Sequence, residues 1–302
     1  MSDAYHIPVL LHESIEALTI KPDGVYVDLT FGGGGHSREI IKHLNAKGKL
    51  VAFDQDADAQ KNAIADERFL LFPNNFRHFK KFLRIAGITQ VDGILADLGI
   101  SSYQIDQPER GFSIRSNATL DMRMNNSAAV TAEEIINTYS EKQLVEIFSK
   151  YGEIRNAKQL ANTIFNARIQ QPIKSTMQLV DIAKMVVKGE VPRYLAQLFQ
   201  AIRIEVNDEM RALEEMLESV YDVLAPNGKL VVISYHSLED RIVKHVMKTG
   251  NVRGEIITDL KGVGKKYFQI ITKKPIEASE DEVKKNPRAR SAKMRVAEKI
   301  KE

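Results

Sequence analysis

An α/β fold carrying an all-helical insertion is predicted by three features of the sequence. Apolar, β-prone runs alternate with helix-spaced segments over the first hundred residues. That rhythm stops near residue 105 and gives way to helical patterns alone. It resumes near residue 206 with a long amphipathic helix and a strongly β-prone run. Strand and helix units alternating at this spacing build βαβ units around a parallel sheet.

Residues 25–29 form a short apolar run that ends at a glycine cluster, and helical spacing follows from Ser37 to Leu44, with Ile40, Ile41 and Leu44 on one side. Residues 49–54 predict a second strand and 57–65 a helix. A third strand spans 69–72, a helix 76–86, and a fourth strand 91–98. Residues 106–126 are polar and irregular. Three capping-box signals come next, Thr131 with Glu134, Ser140 with Gln143 and Ser175 with Gln178, each before a helix-spaced run. A helix over 207–224 carries Met210, Leu213, Met216, Leu217, Val220 and Leu224 on one face. Residues 225–228 read as a turn, 229–235 as a strand, 238–247 as a helix and 267–272 as a final strand. The charged tail beyond Pro275 reads as loosely packed. The resulting division is a discontinuous sheet domain, 1–105 with 206–302, and an inserted helical domain, 106–205.

The chain has 302 residues and no cysteine, so disulfides, thiolate metal sites and cysteine nucleophiles are excluded. His6 and His12 lack ligand-like spacing, and no metal is assigned. No apolar stretch approaches membrane-spanning length, and the first residues lack the basic-then-apolar pattern of a secretory signal. A cytoplasmic location is expected. The net charge of +3 is unevenly placed: from Arg241 onward there are 17 Lys and Arg against 8 Asp and Glu. A second basic cluster is Arg77, Lys80, Lys81 and Arg84. Such a distribution suits a polyanionic partner or, equally, a solvated surface.

The most informative stretch is Asp28-Leu-Thr-Phe-Gly-Gly-Gly-Gly-His-Ser37, between the first strand and the first helix. Glycines here let the backbone turn sharply against a ligand, and the helix start offers free N–H groups. The dinucleotide pattern G-x-G-x-x-G fails, because Ser37 stands at the third glycine, and no lysine makes a phosphate loop. An acid followed by spaced glycines, Asp28, Gly32 and Gly34, resembles the pattern of S-adenosylmethionine-dependent methyltransferases. Asp54 ends the second strand, where an acid can accept hydrogen bonds from ribose hydroxyls, though Asp56 and Asp58 compete for that assignment or for a helix cap. Asp97 ends the fourth strand, so Asp28, Asp54 and Asp97 are expected at one cleft, where three acids also suit a sulfonium cation.

Several longer stretches sharpen the resemblance: His6-Ile-Pro-Val-Leu-Leu, the Asp28–Ser37 run, Asp97-Leu-Gly-Ile-Ser-Ser-Tyr-Gln, Arg110-Gly-Phe-Ser, Leu120-Asp-Met-Arg-Met, Phe199-Gln-Ala-Ile-Arg-Ile-Glu-Val-Asn, Ser234-Tyr-His-Ser-Leu-Glu-Asp-Arg and Asn286-Pro-Arg-Ala-Arg-Ser. In order and along nearly the whole chain, they resemble the bacterial 16S rRNA cytosine-N4 methyltransferases, the MraW family. The resemblance implies a Rossmann-like S-adenosylmethionine-dependent methyltransferase fold with an inserted all-helical domain. It implies action on a decoding-centre cytidine of 16S rRNA, within the small ribosomal subunit. It carries over Gly34, Gly35, His36, Asp54, Phe76, Asp97 and Gln104 as cofactor-binding residues. Gly33 and Tyr103 depart from residues common in the family.

Within that resemblance, Asp97 is the candidate for the cofactor side and Ser101 or Ser102 for an acceptor near the target amine, and His236 is a candidate for contact with the base or a proton relay. A turn-stabilising role for the serines and a structural role for His236 stand beside these readings. C5 methylation of cytosine needs a thiolate, and this chain has none, which favours an amino nitrogen or a 2′-hydroxyl. RNA binding is expected of the basic C-terminal segment, the Arg77–Arg84 cluster and the insertion with Arg110, Arg115 and Arg123. Tyr103, Phe112 and Tyr235 are candidates for stacking on an extruded base or for packing. A homodimer is compatible with the sequence. Three alternatives stay open: a nicotinamide-dependent dehydrogenase, a non-catalytic RNA-binding or assembly protein of this fold, and a methyltransferase with another substrate.

Overall fold

A computed structural model describes residues 8–258, 262 and 264–301; the side chain of Ser102 lies outside the described residues, as does His6. The chain forms two compact units, Met1–Gly99 with Met210–Glu302, and Ile100–Glu209.

The first unit is built on one sheet. Its elements begin with helix α1 (Leu11–Leu18), strand β1 (Val25–Asp28), helix α2 (Gly35–His43), strands β2 (Lys49–Phe53) and β3 (Phe69–Phe72), helix α3 (Phe79–Ile85) and strand β4 (Val91–Asp97). Short 3-10 turns cover Ala57–Asn62 and Phe76–His78, where the sequence predicts an α-helix and the first turn of one. Asp56 and Asn75 start these turns by accepting a hydrogen bond two residues on, a local geometry that competes with α-helix formation.

The second unit, all helical, holds α4 (Ser102–Asp106), α5 (Ala132–Thr138), α6 (Glu141–Lys150), α7 (Ala157–Gln170), α8 (Thr176–Lys184) and α9 (Val191–Asn207). The Ser140 and Ser175 capping boxes form with both bonds. Thr131 accepts from Glu134 N–H, and a box not expected forms at Ser101 and Gln104. The core includes Leu144, Phe148, Leu160, Ile164, Leu198 and Ile202, from helices whose apolar residues recur every three or four positions. Phe112 belongs to it at 9 % exposure, so packing, not base stacking, is its role.

The chain then returns to the sheet through α10 (Glu209–Val223), β5 (Leu224–Ser234), α11 (Ser237–Thr249), β6 (Phe268–Ile270), β7 (Ile276–Glu277), α12 (Glu280–Lys285) and β8 (Lys293–Lys299). Strand order is β3-β2-β1-β4-β5-β8-β6, with β7 paired to β8 off this path. The first five strands run parallel, and β8 lies antiparallel between β5 and β6. A dinucleotide-binding sheet continues in the order 3-2-1-4-5-6; the reversed β8 departs from it. The architecture is the Rossmann-like methyltransferase fold expected from the sequence. Tyr26, Leu50, Leu95, Val231, Ile233, Met294 and Val296 pack on one face, with Leu10 and Leu18 at α1 and Ile40 and Ile41 of α2. Their strand neighbours Val27, Val51, Ile94, Val232 and Ala297 are equally buried and, by the two-residue alternation of strands, face the other way.

Two expectations are corrected. The 225–228 turn is absorbed into β5 as an irregularity: Val91 pairs with Leu224 but Gly93 with Lys229, and Asn227 takes φ 63°. More important, the tail is not loose. Met294, Arg295, Val296 and Ala297 are all buried. Arg295 makes a two-pronged ion pair with Asp240, at 2.6 and 3.0 Å. Lys299 Nζ donates to the Tyr221 and Leu224 carbonyls, and Lys229 pairs with Glu298. A lone run of seven residues with three cations reads locally as solvated tail; its burial follows from strand partners far away in sequence.

Among the described residues no helix is long and apolar enough to cross a membrane.

Removing residues 293–302 takes out an inner strand. The expected outcome is loss of the cooperative unfolding transition on heating, followed by circular dichroism. A sharp transition near that of the full chain would show that the sheet does not depend on β8.

Candidate active site at the carboxyl edge of the sheet

The parallel strands β1, β2 and β4 end together, and each ends in or is followed by an acid. Asp28, 1 % exposed, is closed off by the fold: Oδ2 accepts from Ser37 Oγ at 2.6 Å and Oδ1 from Thr30 N–H at 3.1 Å. Burial pushes its pKa up, against those donors. It therefore shapes the loop and does not present its carboxylate at a cleft rim as the sequence suggests.

The glycine turn follows. Gly34 sits at φ +75°, and a Cβ there would meet Phe31 and Arg38 at 2.8 Å. A Cβ on Gly35 would fall 2.1 Å from Pro8 Cγ. Glycine is required at both positions by conformation or by close approach. At Gly33 a Cβ would meet nothing within 4 Å, so a side chain is tolerated there. The turn is held from outside by Asn62, whose Nδ2 donates to Gly32 O, and by Arg38, which donates to Gly33 O and Asn62 O.

Asp54, just past β2, accepts from Gly32 N–H at 2.7 Å and from Asp56 N–H at 2.8 Å. Burial raises its pKa to about 6 in spite of those bonds. Asp56 instead caps the 57–62 turn, while Asp54 bonds the glycine loop. Phe76 opens the turn after β3 and is half-buried.

Asp97 ends β4. Its N–H donates to Thr30 Oγ1 at 2.6 Å, and its Oδ1 accepts from Tyr235 Oη at 2.6 Å. Oδ2 lies 4.0 Å from His36 Nδ1, and 21 % of the Asp97 side chain meets solvent. Burial raises its pKa to about 6, opposed by His36 and by the Tyr235 hydroxyl. His36, buried in the first turn of α2, bonds the Val9 carbonyl through Nε2 at 3.1 Å. A carbonyl only accepts, so Nε2 carries a proton and Nδ1 is the nitrogen turned to Asp97.

Gly34, Gly35, His36, Asp54 and Asp97 are thus brought together in the first unit. His236 is not presented at a rim. It caps α11, with Nδ1 accepting from Glu239 N–H at 3.4 Å and Nε2 lying 3.2 Å from Glu239 Oε1, at an angle that makes no hydrogen bond. Its side chain is 9 % exposed. Ser101 and Gln104 belong to the helical unit. Ser101 Oγ accepts from Gln104 N–H at 3.2 Å, and Gln104 Oε1 accepts from Ser101 N–H at 3.0 Å. Ser102 begins α4; its side chain lies outside the described residues. Tyr103 is 47 % exposed.

Sequence reasoning misses the Tyr235 bond to Asp97 and the buried acid Glu239. The second had a local signal, since His236 and Glu239 have capping-box spacing with histidine in place of serine. A cavity of about 820 Å³ lined by Leu11, His12, Glu16, Glu39, His43 and Glu282 lies elsewhere, touching none of the three strand-end acids.

Chemically, this edge offers a tight glycine turn, helix-start N–H groups at α2, and two carboxylates whose pKa burial raises to about 6. It suits a ligand with ribose hydroxyls and a cationic centre.

A carboxyl whose folded pKa is raised contributes stability below its unfolded value near 4, and that contribution is lost as pH rises through the folded value near 6. Asp54→Asn removes this titration. Relative to the variant, the parent is expected to lose about 1–2 kcal/mol between pH 4 and pH 6 in urea unfolding. Parallel pH dependences of the two proteins would contradict the burial of an ionisable Asp54.

Comparison with known proteins agrees along the whole chain. The family model described as the MraW methylase family matches residues 3–300. Ribosomal RNA small subunit methyltransferase H of Bacteroides fragilis is 51 % identical over 296 residues, covering 98 % of this chain and 97 % of that protein. The protein of the same name from Cytophaga hutchinsonii is 53 % identical over 297 residues, covering 97 % and 99 %. A solved rRNA methylase structure from Streptococcus thermophilus overlaps 98 % of this chain and 99 % of its own with a TM-score of 0.45 at 11 % identity, from which nothing further follows. Matched nearly end to end by one family's model and by relatives at half identity, the chain belongs to the MraW methylase family.

Proposed function

We propose that this methyltransferase moves a methyl group from S-adenosylmethionine to the exocyclic N4 amine of a decoding-centre cytidine in 16S rRNA, in the cytoplasm, with the small ribosomal subunit as the substrate particle. The observation that carries the reading is the strand-end arrangement. Asp54 pins the glycine turn, and Asp97 keeps part of its carboxylate exposed beside His36, in a chain whose relatives are named for rRNA small-subunit methylation.

The cofactor supplies an electrophilic methyl on a sulfonium centre. Gly34, Gly35 and His36 form the wall of its site, and Asp54 is the acceptor for ribose hydroxyls; Phe76 and Gln104 complete the proposed set. The chemistry of the donor set supports this fit: Asp54 and Asp97 are acceptors suited to ribose hydroxyls and a cationic centre, beside the first turn of α2. The amine of cytosine is a weak nucleophile because its lone pair is delocalised into the ring. Acceptors for its N–H bonds favour a pyramidal nitrogen, and holding it in line supplies much of the rate. Asp97 is assigned the cofactor side of this arrangement, with Ser101 or Ser102 as acceptors for the amine. A Ser101 hydroxyl that accepts from Gln104 N–H keeps a second lone pair for this purpose. His236, held as a cap, is assigned no contact with the base.

The helical unit is proposed to recognise the RNA. Arg110 donates to the Arg123 and Met124 carbonyls, and Arg123 grips Asp121, so of the three arginines first considered Arg115 is the exposed one. In the C-terminal region the exposed cations include Lys273, Lys274, Lys285 and Arg290, which lie apart from the strand contacts made by Arg295 and Lys299.

Incubating the protein with labelled S-adenosylmethionine and small subunits lacking the modification is expected to give labelled N4-methylcytidine. Label in another nucleoside would overturn the target assignment. Asp97→Asn is expected to slow transfer about a hundredfold. Replacing Lys273, Lys274, Lys285 and Arg290 by Gln is expected to lower the slope of log affinity for RNA against log salt by about 0.7 for each phosphate no longer neutralised. An unchanged slope would remove that segment from the RNA interface.

A further inference from the structure

The turn between β5 and α11 is closed by a buried acid. Glu239, 3 % exposed, accepts Tyr235 N–H at 2.8 Å and His236 N–H at 3.3 Å through Oε2. Its Oε1 faces His236 Nε2. The backbone on both sides of the turn's corner is therefore tied to one carboxylate, which holds the Tyr235 backbone in place while its ring extends toward β4. Its hydroxyl reaches Asp97, 138 residues earlier in the chain.

The terminal torsion of an aspartate is broad and nearly two-fold, so a strand-end Asp does not by itself aim its oxygens. Two contacts remove that freedom at Asp97. Thr30 Oγ1 accepts the Asp97 N–H and fixes the backbone, and Tyr235 donates to Oδ1 and fixes the carboxylate plane. Oδ2 is left on the His36 side, on a side chain that still meets solvent.

We propose that Tyr235, held by Glu239, is the positioning residue for Asp97 in methyl transfer: its hydroxyl orients the carboxylate. This rests on the assignment of Asp97 made above. The groups facing Asp97 are His36 on α2 and Tyr235 after β5, with Asp28 on β1 and Glu239 on α11 farther off; the first two favour the ionised carboxylate and the two acids oppose it. Tyr235 is not free to stack on a base while its hydroxyl serves Asp97. Burial and the Asp97 charge push its own pKa up, so it stays a donor at any working pH.

The test is Tyr235→Phe, which keeps the ring and removes the donor. In protein labelled with ¹³C at aspartate carboxyls, with Asp97 assigned through Asp97→Asn, the Asp97 midpoint is expected to rise by about one pH unit. The kcat for transfer to small subunits is expected to fall about tenfold near pH 6 and to recover partly toward pH 8, with KM for the subunit unchanged. Glu239→Gln, with Tyr235 intact, is expected to shift both readouts in the same direction by less. A Tyr235→Phe protein with the parent's carboxyl titration and pH–rate profile would overturn the proposal. A raised KM with an unshifted profile would overturn it in favour of stacking. If the parent itself transfers no methyl group, the proposed function fails, and the carboxyl titration alone decides whether Tyr235 governs Asp97.

Discussion

A carboxylate buried at the end of β1 has to find donors, and the way Asp28 finds them sets the geometry of everything beyond it. An unpaired charge there would be too costly to keep. Ser37 and Thr30 supply the bonds, and in doing so join the strand end to the first turn of α2 with the glycine turn held between them. Thr30 then accepts from the Asp97 backbone, Asp97 accepts from the Tyr235 hydroxyl, and the Tyr235 N–H donates to Glu239. A continuous series of polar contacts thus crosses the ends of β1, β4 and β5. Each group in it has its position fixed by the one before, which is how a site made from segments 200 residues apart acquires one shape.

What could be read from the sequence was what is encoded locally. The glycine run, the acids at strand ends and the two complete capping boxes at Ser140 and Ser175 depend on residues within a few positions of one another, and the structure has them. The Tyr235 bond to Asp97 and the pairing of β8 with β5 were not legible, because no local period announces a partner 60 or more residues away. Phe112 was open to stacking or packing from the sequence, and the helices that follow it in the chain make it core. Asp28 was legible as important but misread as to direction, since a sequence does not say whether an acid faces a ligand or the interior.

Charge counting maps the surface only in part. The excess of Lys and Arg after Arg241 suggested one basic face, yet Arg295 and Lys299 serve the sheet and the carbonyls beneath it. Arg110 and Arg123 likewise serve their own unit's backbone and Asp121. A guanidinium that satisfies carbonyls at a chain reversal is part of the fold's hydrogen bonding. The cations left for a polyanion are those that the structure leaves exposed, most of the C-terminal set.

The place of β8 has a consequence for biosynthesis. Of the eight strands it is the one translated last, yet it takes an inner position, with β5 on one side and β6 on the other. While residues 293–299 are still unmade, the nascent domain must wait with β5 and β6 unjoined, each presenting an open row of backbone groups. The helical unit, encoded earlier and rich in local contacts, is under no such delay. Synthesis therefore gives a molecule whose helical unit is encoded in full before the sheet of the other unit can be completed by β8.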